Sequence, residues 1–320
     1  MHAAVVESFE APPRYSTFAD PVPEADELLI DVRAAGLHQL VRGLAAGKHY
    51  GSAGKLPFVP GVDGVGVASD GRRVYFLAGR SPFGSMAERS VAARAACLPV
   101  PDPLDDATVA AMMNPAMSSW AALAERAHFA RGESVLILGA TGTSGQLAVQ
   151  IARRFGAHRI VGAGRNREAL DEAKTLGADA VIPLTDDRDA LVAAFRDAIA
   201  EHKIDVVLDY LWGAPAETLL AAIAQKGLAH AAPRIRYIQI GSSAGPAISL
   251  PGATLRSSGL ELLGSGFGSV SMEGIFRTLT AVLHEAARAP FQFHVAPAPL
   301  SQVESAWNAR NTEGRLVFQP

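Results

Sequence analysis

Residues 134–148 read SVLILGATGTSGQLA. An apolar run, strand-sized and with no polar interruption, leads into glycines at 139, 142 and 145, and a helical pattern follows. The spacing is G-x-x-G-x-x-G, a variant of the dinucleotide fingerprint. Glycine permits a tight turn and lets a ligand approach the backbone closely. The free N–H groups and positive dipole end of the following helix then suit a pyrophosphate. Thr143 and Ser144 add hydroxyl donors to Gly139, Gly142 and Gly145. Glycines alone would describe any strand-to-helix turn. Here the strand before, the helix after and a second strand at 159–163 supply the context that the motif requires.

The end of that second strand bears on which dinucleotide binds. An acidic residue there accepts hydrogen bonds from the ribose 2′-hydroxyl of NAD. This chain has Gly164-Arg165-Asn166 instead. No carboxylate is present to repel a 2′-phosphate, and the planar fork of Arg165 matches one. The pattern points to NADPH; the competing role for Arg165 is that of a solvated surface arginine.

Outward from the loop, apolar runs alternate with amphipathic segments. The runs are 135–138, 160–163, 180–182, 205–208, 237–240 and 260–263, and helical patterns lie at 145–155, 168–176, 189–200 and 215–224. In the helix near Ser144, Leu147, Ala148, Ile151, Ala152 and Phe155 recur with a 3.6-residue period, predicting one buried face. Such alternation implies a parallel, doubly wound sheet. The first hundred residues have another texture. Segments 28–35, 62–68 and 73–78 are short strand candidates, and glycines and prolines mark turns between them. Residues 105–127 predict helix with a break at Asn114-Pro115. A helix at about 271–287, a strand near 292–296, a short helix near 301–309 and a last strand at 315–318 close the chain, and this tail is expected to return to the N-terminal part.

The 320 residues correspond to about two domains. With 49% hydrophobic residues and a net charge of −3, the chain can bury a core and carries no electrostatic footprint for nucleic acid. Its apolar stretches are too short to span a membrane, which takes about 20 residues. The start, MHAAVVESFE, lacks the features of a signal peptide. A single cysteine, Cys97, rules out an internal disulfide framework. These features predict a cytoplasmic protein.

Several segments together resemble the medium-chain dehydrogenase/reductase superfamily, and within it the zinc-free quinone oxidoreductase branch. They are the glycine loop, AAGLH at 34–38, PFVPGVDGVG at 57–66, GSMAE at 84–88, GADAVI at 177–182, DVVLDYLWG at 205–213, IQIGSSAG at 238–245 and GRLVF at 314–318. The resemblance covers nearly the whole chain. It implies an α/β protein with a Rossmann doubly wound parallel sheet inserted in a GroES-like, β-rich catalytic domain. The expected boundaries are 1–108 for the first part of the catalytic domain, 109–266 for the NADPH-binding domain and 267–320 for the returning part. The resemblance also implies a homodimer, paired through the sixth strand of the sheet.

At the positions where zinc-dependent relatives hold their catalytic metal, this chain has His38, Val62, Asp63 and Asn114. No thiolate is among them, so no metal is expected. The resemblance places His38 and Ser118 near the nicotinamide ring and Asn114 at the mouth of the same cleft. It gives Leu211, Gly241, Ser242 and Phe267 contacts with the nicotinamide half. Tyr50 lies in GKHYGSAG, which resembles a substrate loop, and His38 and Tyr50 are the candidate proton donors. Trp212 is expected to pack, and Asp209-Tyr210 to cap the fourth strand.

The reaction these features imply is hydride transfer from NADPH to a soft acceptor, a quinone or an α,β-unsaturated carbonyl. Such acceptors spread the incoming charge onto an oxygen, whereas a saturated ketone needs a metal or a positioned acid. Two alternatives stay open at this level: a zinc-dependent alcohol dehydrogenase relative, and an NADPH-binding sensor or structural protein with little turnover.

Overall fold

The strand Ser134–Leu138 is buried at every residue and lies inside a six-stranded sheet. Its neighbours are Ile160–Gly164 on one side and Ile204–Asp209 on the other, both parallel to it. Ala180–Pro183 lies beyond the first; Arg234–Gln239 and then Gly259–Gly264 lie beyond the second. Numbered along the chain, the order is 3-2-1-4-5-6, the doubly wound arrangement, and its direction reverses beside the strand that feeds the glycine loop. Ligands bind at such a switch point, outside the carboxyl ends of the strands. The runs VLIL and VVL are continuous rather than alternating because helices cover both faces of a parallel sheet. Leu136, Val161, Val207 and Tyr237 pack there with Phe195 and Leu219 from the helices.

The computed structural model describes residues 1–52, 55–224, 232–309 and 314–320. Contacts divide the chain into two units, Met1–Asn114 with Leu279–Pro320, and Pro115–Thr278. The second holds the parallel sheet. The first holds a seven-stranded mixed sheet in the order Val295–Pro299, Arg315–Gln319, Glu27–Gly36, Asp63–Ala68, Arg73–Leu77, Cys97–Pro99, with Arg89–Ala93 also paired to Glu27–Gly36. The last strand joins by antiparallel pairing of Val317 with Gly36 and Phe318 with Ala35. A separate two-stranded ribbon pairs His2–Val5 with Arg14–Thr17.

Three local expectations change. The helix Asp106–Ala121 runs through Asn114-Pro115 without a break and passes into a π-helical turn at Ala122–Arg126. A proline inside a helix removes one hydrogen bond and crowds the preceding turn. Here Val109, Ala110, Ala111, Met112, Met113 and Ala116 are all at most 1% exposed, and that burial holds the helix together across the lost bond. The helix Thr143–Arg154 buries every residue from Gly145 to Ala152 rather than one stripe. Its buried amides find partners: Gln146 Nε2 donates to Glu172 (2.7 Å) and Gln150 Nε2 to the Gln146 carbonyl (3.3 Å). A helix at Gln39–Ala45 has no counterpart in the expectations. It is short and has no side-chain cap, so it carries no start signal.

Candidate cofactor and active site

The glycine loop turns sharply as it leaves the sheet. Gly139 has φ +98°, a conformation that L side chains rarely adopt, and both Gly139 and Ala140 N–H groups donate to the Ala163 carbonyl (2.9 Å each). Gly142 is the N-cap of the helix, with φ −89°, and supplies no side-chain cap. A Cβ at Gly142 would meet no atom within 4 Å, so its missing side chain leaves space over the helix N-terminus. Gly145 has the opposite reason for being glycine. A Cβ there would lie 2.2 Å from the Gly139 carbonyl oxygen and 2.5 Å from Ala140 Cα. The first turn of the helix is thereby drawn against the loop, with its free N–H groups turned to a cradle that side chains would fill. Thr143 and Ser144, half-buried, form the first helical residues. This arrangement fits the pyrophosphate of a dinucleotide.

Gly164 ends the second strand, and Arg165, Asn166 and Arg167 after it are exposed. Among the described residues Arg165 and Arg167 make no ion pair. Asn166 caps the next helix, its Oδ1 accepting from the Ala169 N–H at 3.0 Å, so that oxygen is committed to the fold. Arg167 was not singled out from the sequence, although its place one residue beyond the cap put it within the same turn.

The end of the fourth strand is built on a buried carboxylate. Asp209 Oδ1 accepts from the N–H groups of Leu211 (2.7 Å) and Trp212 (3.0 Å), and Oδ2 accepts from the Tyr237 hydroxyl (2.8 Å). Burial pushes the Asp209 carboxyl up, against the opposing pull of these donors. The bonds fix the turn that sets Leu211 against the loop, where its side chain lies 3.1 Å from the Cβ position of Gly139. Trp212 adopts φ 56° and packs its ring edge-on to Tyr237, centroids 6.4 Å apart.

The Tyr210 phenol shares a 2.8 Å hydrogen bond with the Ser119 hydroxyl, and burial pushes it up to about 12. The Ser118 hydroxyl donates to the Pro115 carbonyl at 2.7 Å. Gly241 is packed so that a Cβ would lie 2.7 Å from the Tyr210 carbonyl oxygen. Ser242 is exposed and its carbonyl accepts from Gly245 N–H at 3.2 Å; Phe267 is 38% exposed. Sequence reasoning passed over Ser119, whose link to Tyr210 is 91 residues long and has no local signature.

In the other unit, His38 is 3% exposed and donates from Nε2 to Asp63 Oδ1 at 2.9 Å. Asp63 Oδ2 accepts from the Tyr75 hydroxyl at 2.7 Å, while His38 Nδ1 is buried with no hydrogen-bond partner among the described residues. Burial and the adjoining Asp63 carboxylate drive the Tyr75 phenol well above its usual range. Tyr75 was missed. The Asp70-Gly71 turn signal could have found it, because a hairpin closed there pairs Asp63 with Leu77 and brings position 75 onto the same face. Asn114 is half-buried on its helix. Tyr50 is 76% exposed, with its ring 4.0 Å from that of His49. The last two residues of its loop, 53–54, lie outside the described residues.

The four positions at which zinc-dependent relatives hold their metal do not fit zinc here. Val62 offers no ligand atom, Asp63 is held by His38 and Tyr75, and His38 Nε2 is already engaged. Cys97 packs elsewhere, with Leu28, Ile30 and Phe76. No group of three or more His, Cys, Asp or Glu side chains among the described residues could hold a metal ion. No helix among them is long and apolar enough to cross a membrane.

A doubly wound sheet with a glycine-loop cradle in one unit, and a mixed β-sheet completed by the chain's last strand in the other, define a two-unit dehydrogenase/reductase architecture. Residues 145–285 match a family model described as a zinc-binding dehydrogenase. The chain is 30% identical, over the whole of both proteins, to a probable NADPH-dependent quinone reductase of Emericella nidulans. It is 32% identical to a 2-methylene-furan-3-one reductase of Solanum lycopersicum, across 61% of this chain and 52% of that protein. The crystal structure of the quinone oxidoreductase from Thermus thermophilus, also solved in complex with NADPH, superposes over all of both chains with a TM-score of 0.82 at 27% identity. The chain belongs to the medium-chain dehydrogenase/reductase superfamily, in its zinc-free, quinone oxidoreductase-like branch.

Proposed function

We propose that this protein is an NADPH-dependent oxidoreductase that reduces a quinone or an α,β-unsaturated carbonyl without a metal. The observation that carries the reading is the pairing of an open glycine cradle with a strand end that has no acid and an exposed Arg165 that makes no ion pair among the described residues. The full-length kinship with an NADPH-dependent quinone reductase supports it. NADPH bound at this site supplies a hydride from its nicotinamide.

The chain's own residues bind and orient. The loop from Gly139 through Gly142 to Gly145, with the hydroxyls of Thr143 and Ser144, holds the pyrophosphate. Gly164, Arg165 and Asn166 form the seat of the 2′-phosphate, with Arg165 as its cation. Leu211, Gly241, Ser242 and Phe267, together with Asn114 and Ser118, would contact the nicotinamide half. His38 and Tyr50 are the candidate proton donors. His38 enters this role with Nε2 spent on Asp63, leaving Nδ1 as the atom able to hold or pass a proton. Where neither residue acts, water protonates the oxygen of the reduced acceptor, which such delocalised acceptors permit. The protein works in the cytoplasm as a homodimer.

Titration of the purified protein with NADPH and NADH tests the cofactor assignment. NADPH binds more tightly by about 1.5–3 kcal/mol, and Arg165→Ala removes most of the difference. Equal affinities in the unmutated protein would sink it. Chelator-treated protein oxidises NADPH with small quinones or enones and leaves simple alcohols untouched with NADP. Alcohol oxidation that is lost with chelator and restored by zinc overturns the metal-free reading.

A further inference from the structure

Gly164 is not a glycine for backbone reasons. Its φ lies outside the left-handed region, and it sits in regular parallel pairing with Pro183. What excludes a side chain is Thr141, in the glycine loop. A Cβ built on Gly164 would lie 2.3 Å from Thr141 Cγ2, 2.9 Å from Oγ1 and 3.2 Å from its Cβ. Turning the threonine does not relieve this. Its Cβ has three staggered positions for two heavy atoms and one hydrogen. Two of the three positions fall within 3 Å of the new Cβ, and one hydrogen clears only one of them. Every rotamer of Thr141 therefore leaves a heavy atom in collision. Serine has one heavy atom and two hydrogens, so one rotamer clears both positions; alanine clears both in any case. The Thr141 hydroxyl makes no hydrogen bond among the described residues.

We propose that Thr141 is a specificity-determining residue. By occupying the space above the second strand, it bars any side chain, and hence any acid, from position 164, and so denies the site the carboxylate that would hold the ribose diol of NADH. The cofactor-choosing element is thus a pair in contact, one member in the pyrophosphate loop and the other at the strand end. This rests on the NADPH reading above only for its consequence; the steric lock itself is a property of the protein alone.

The test separates the two. Thermal unfolding of the cofactor-free protein reads the lock. Gly164→Ala lowers Tm by at least about 3 °C. Adding Thr141→Ser or Thr141→Ala restores most of the loss, and adding the isosteric Thr141→Val restores none. An unchanged Tm in Gly164→Ala, or rescue by valine equal to that by serine, overturns the lock. Fluorescence titration with NADPH and NADH reads the specificity. Gly164→Asp alone weakens both cofactors at least tenfold. Thr141→Ser with Gly164→Asp recovers NADH and lowers the NADPH-to-NADH affinity ratio at least a hundredfold relative to the parent. A ratio that falls as far in Gly164→Asp alone removes Thr141 from cofactor choice. A parent protein that does not prefer NADPH defeats the cofactor reading while leaving the Tm comparison intact.

Discussion

Tyr75 shows how a single hydroxyl can hold a buried polar group in place. Its O–H is one of two donors to the Asp63 carboxylate, and His38 is the other. Tyr75→Phe keeps the ring and removes only the donor, leaving a buried acceptor half satisfied. The expected loss is about 1–3 kcal/mol in urea-induced unfolding. A loss below about 0.3 kcal/mol would mean that the hydroxyl contributes nothing to the cluster. From the sequence, two members of this cluster were visible as relics of a metal site. Their actual relationship was not, because it runs through a cross-strand neighbour and not through spacing along the chain. The place of Arg165, exposed just past the second strand, was legible for the opposite reason: that position is set by the local count from the glycines. Asn166 was only half legible, since its place was clear and its capping bond to Ala169 was not foreseen.

At the level of elements, the glycine loop makes a distinction that composition hides. Gly142 and Gly145 look alike in the motif, yet one faces open space and the other faces backbone. Gly142→Ala should leave Tm within about 1 °C and weaken NADPH at least tenfold, because its methyl group intrudes on the cradle alone. Gly145→Ala should lower Tm by several degrees as well, because its methyl group drives the helix away from the loop. Calorimetry and NADPH titration on the two variants check this; identical behaviour would refute the assignment of separate roles. The strand–loop–helix unit was readable because each of its signals is local. The helix Asp106–Ala121 was misread at Pro115, where burial of the flanking residues outweighs local propensity. The ribbon of His2–Val5 with Arg14–Thr17 escaped notice because four-residue strands are too short to show a period.

For the whole molecule, one flank of the parallel sheet is the strand Gly259–Gly264, with Leu262 and Leu263 only partly covered. Edge strands of this kind pair readily, and a two-fold axis would join two of them, leaving Ala180–Pro183 as the edge at each end of the doubled sheet. The proposed homodimer is checked by light scattering: the protein runs as a dimer at micromolar concentration, and Leu262→Lys shifts it toward monomer. A parent that is monomeric throughout refutes the assembly. The pairing of Val317 and Phe318 with Gly36 and Ala35 carries a different consequence, one of timing. During synthesis, the unit formed by Pro115–Thr278 has all of its strands in hand while the other unit still lacks two of the neighbours its sheet requires. The ribosome thus delivers a finished insert inside an unfinished host, and the host can close only once residue 319 has emerged. Chains truncated before residue 295 and released from the ribosome should protect the insert from protease and leave residues 1–114 open to cleavage, and equal protection of both would show that the host closes without its last strands.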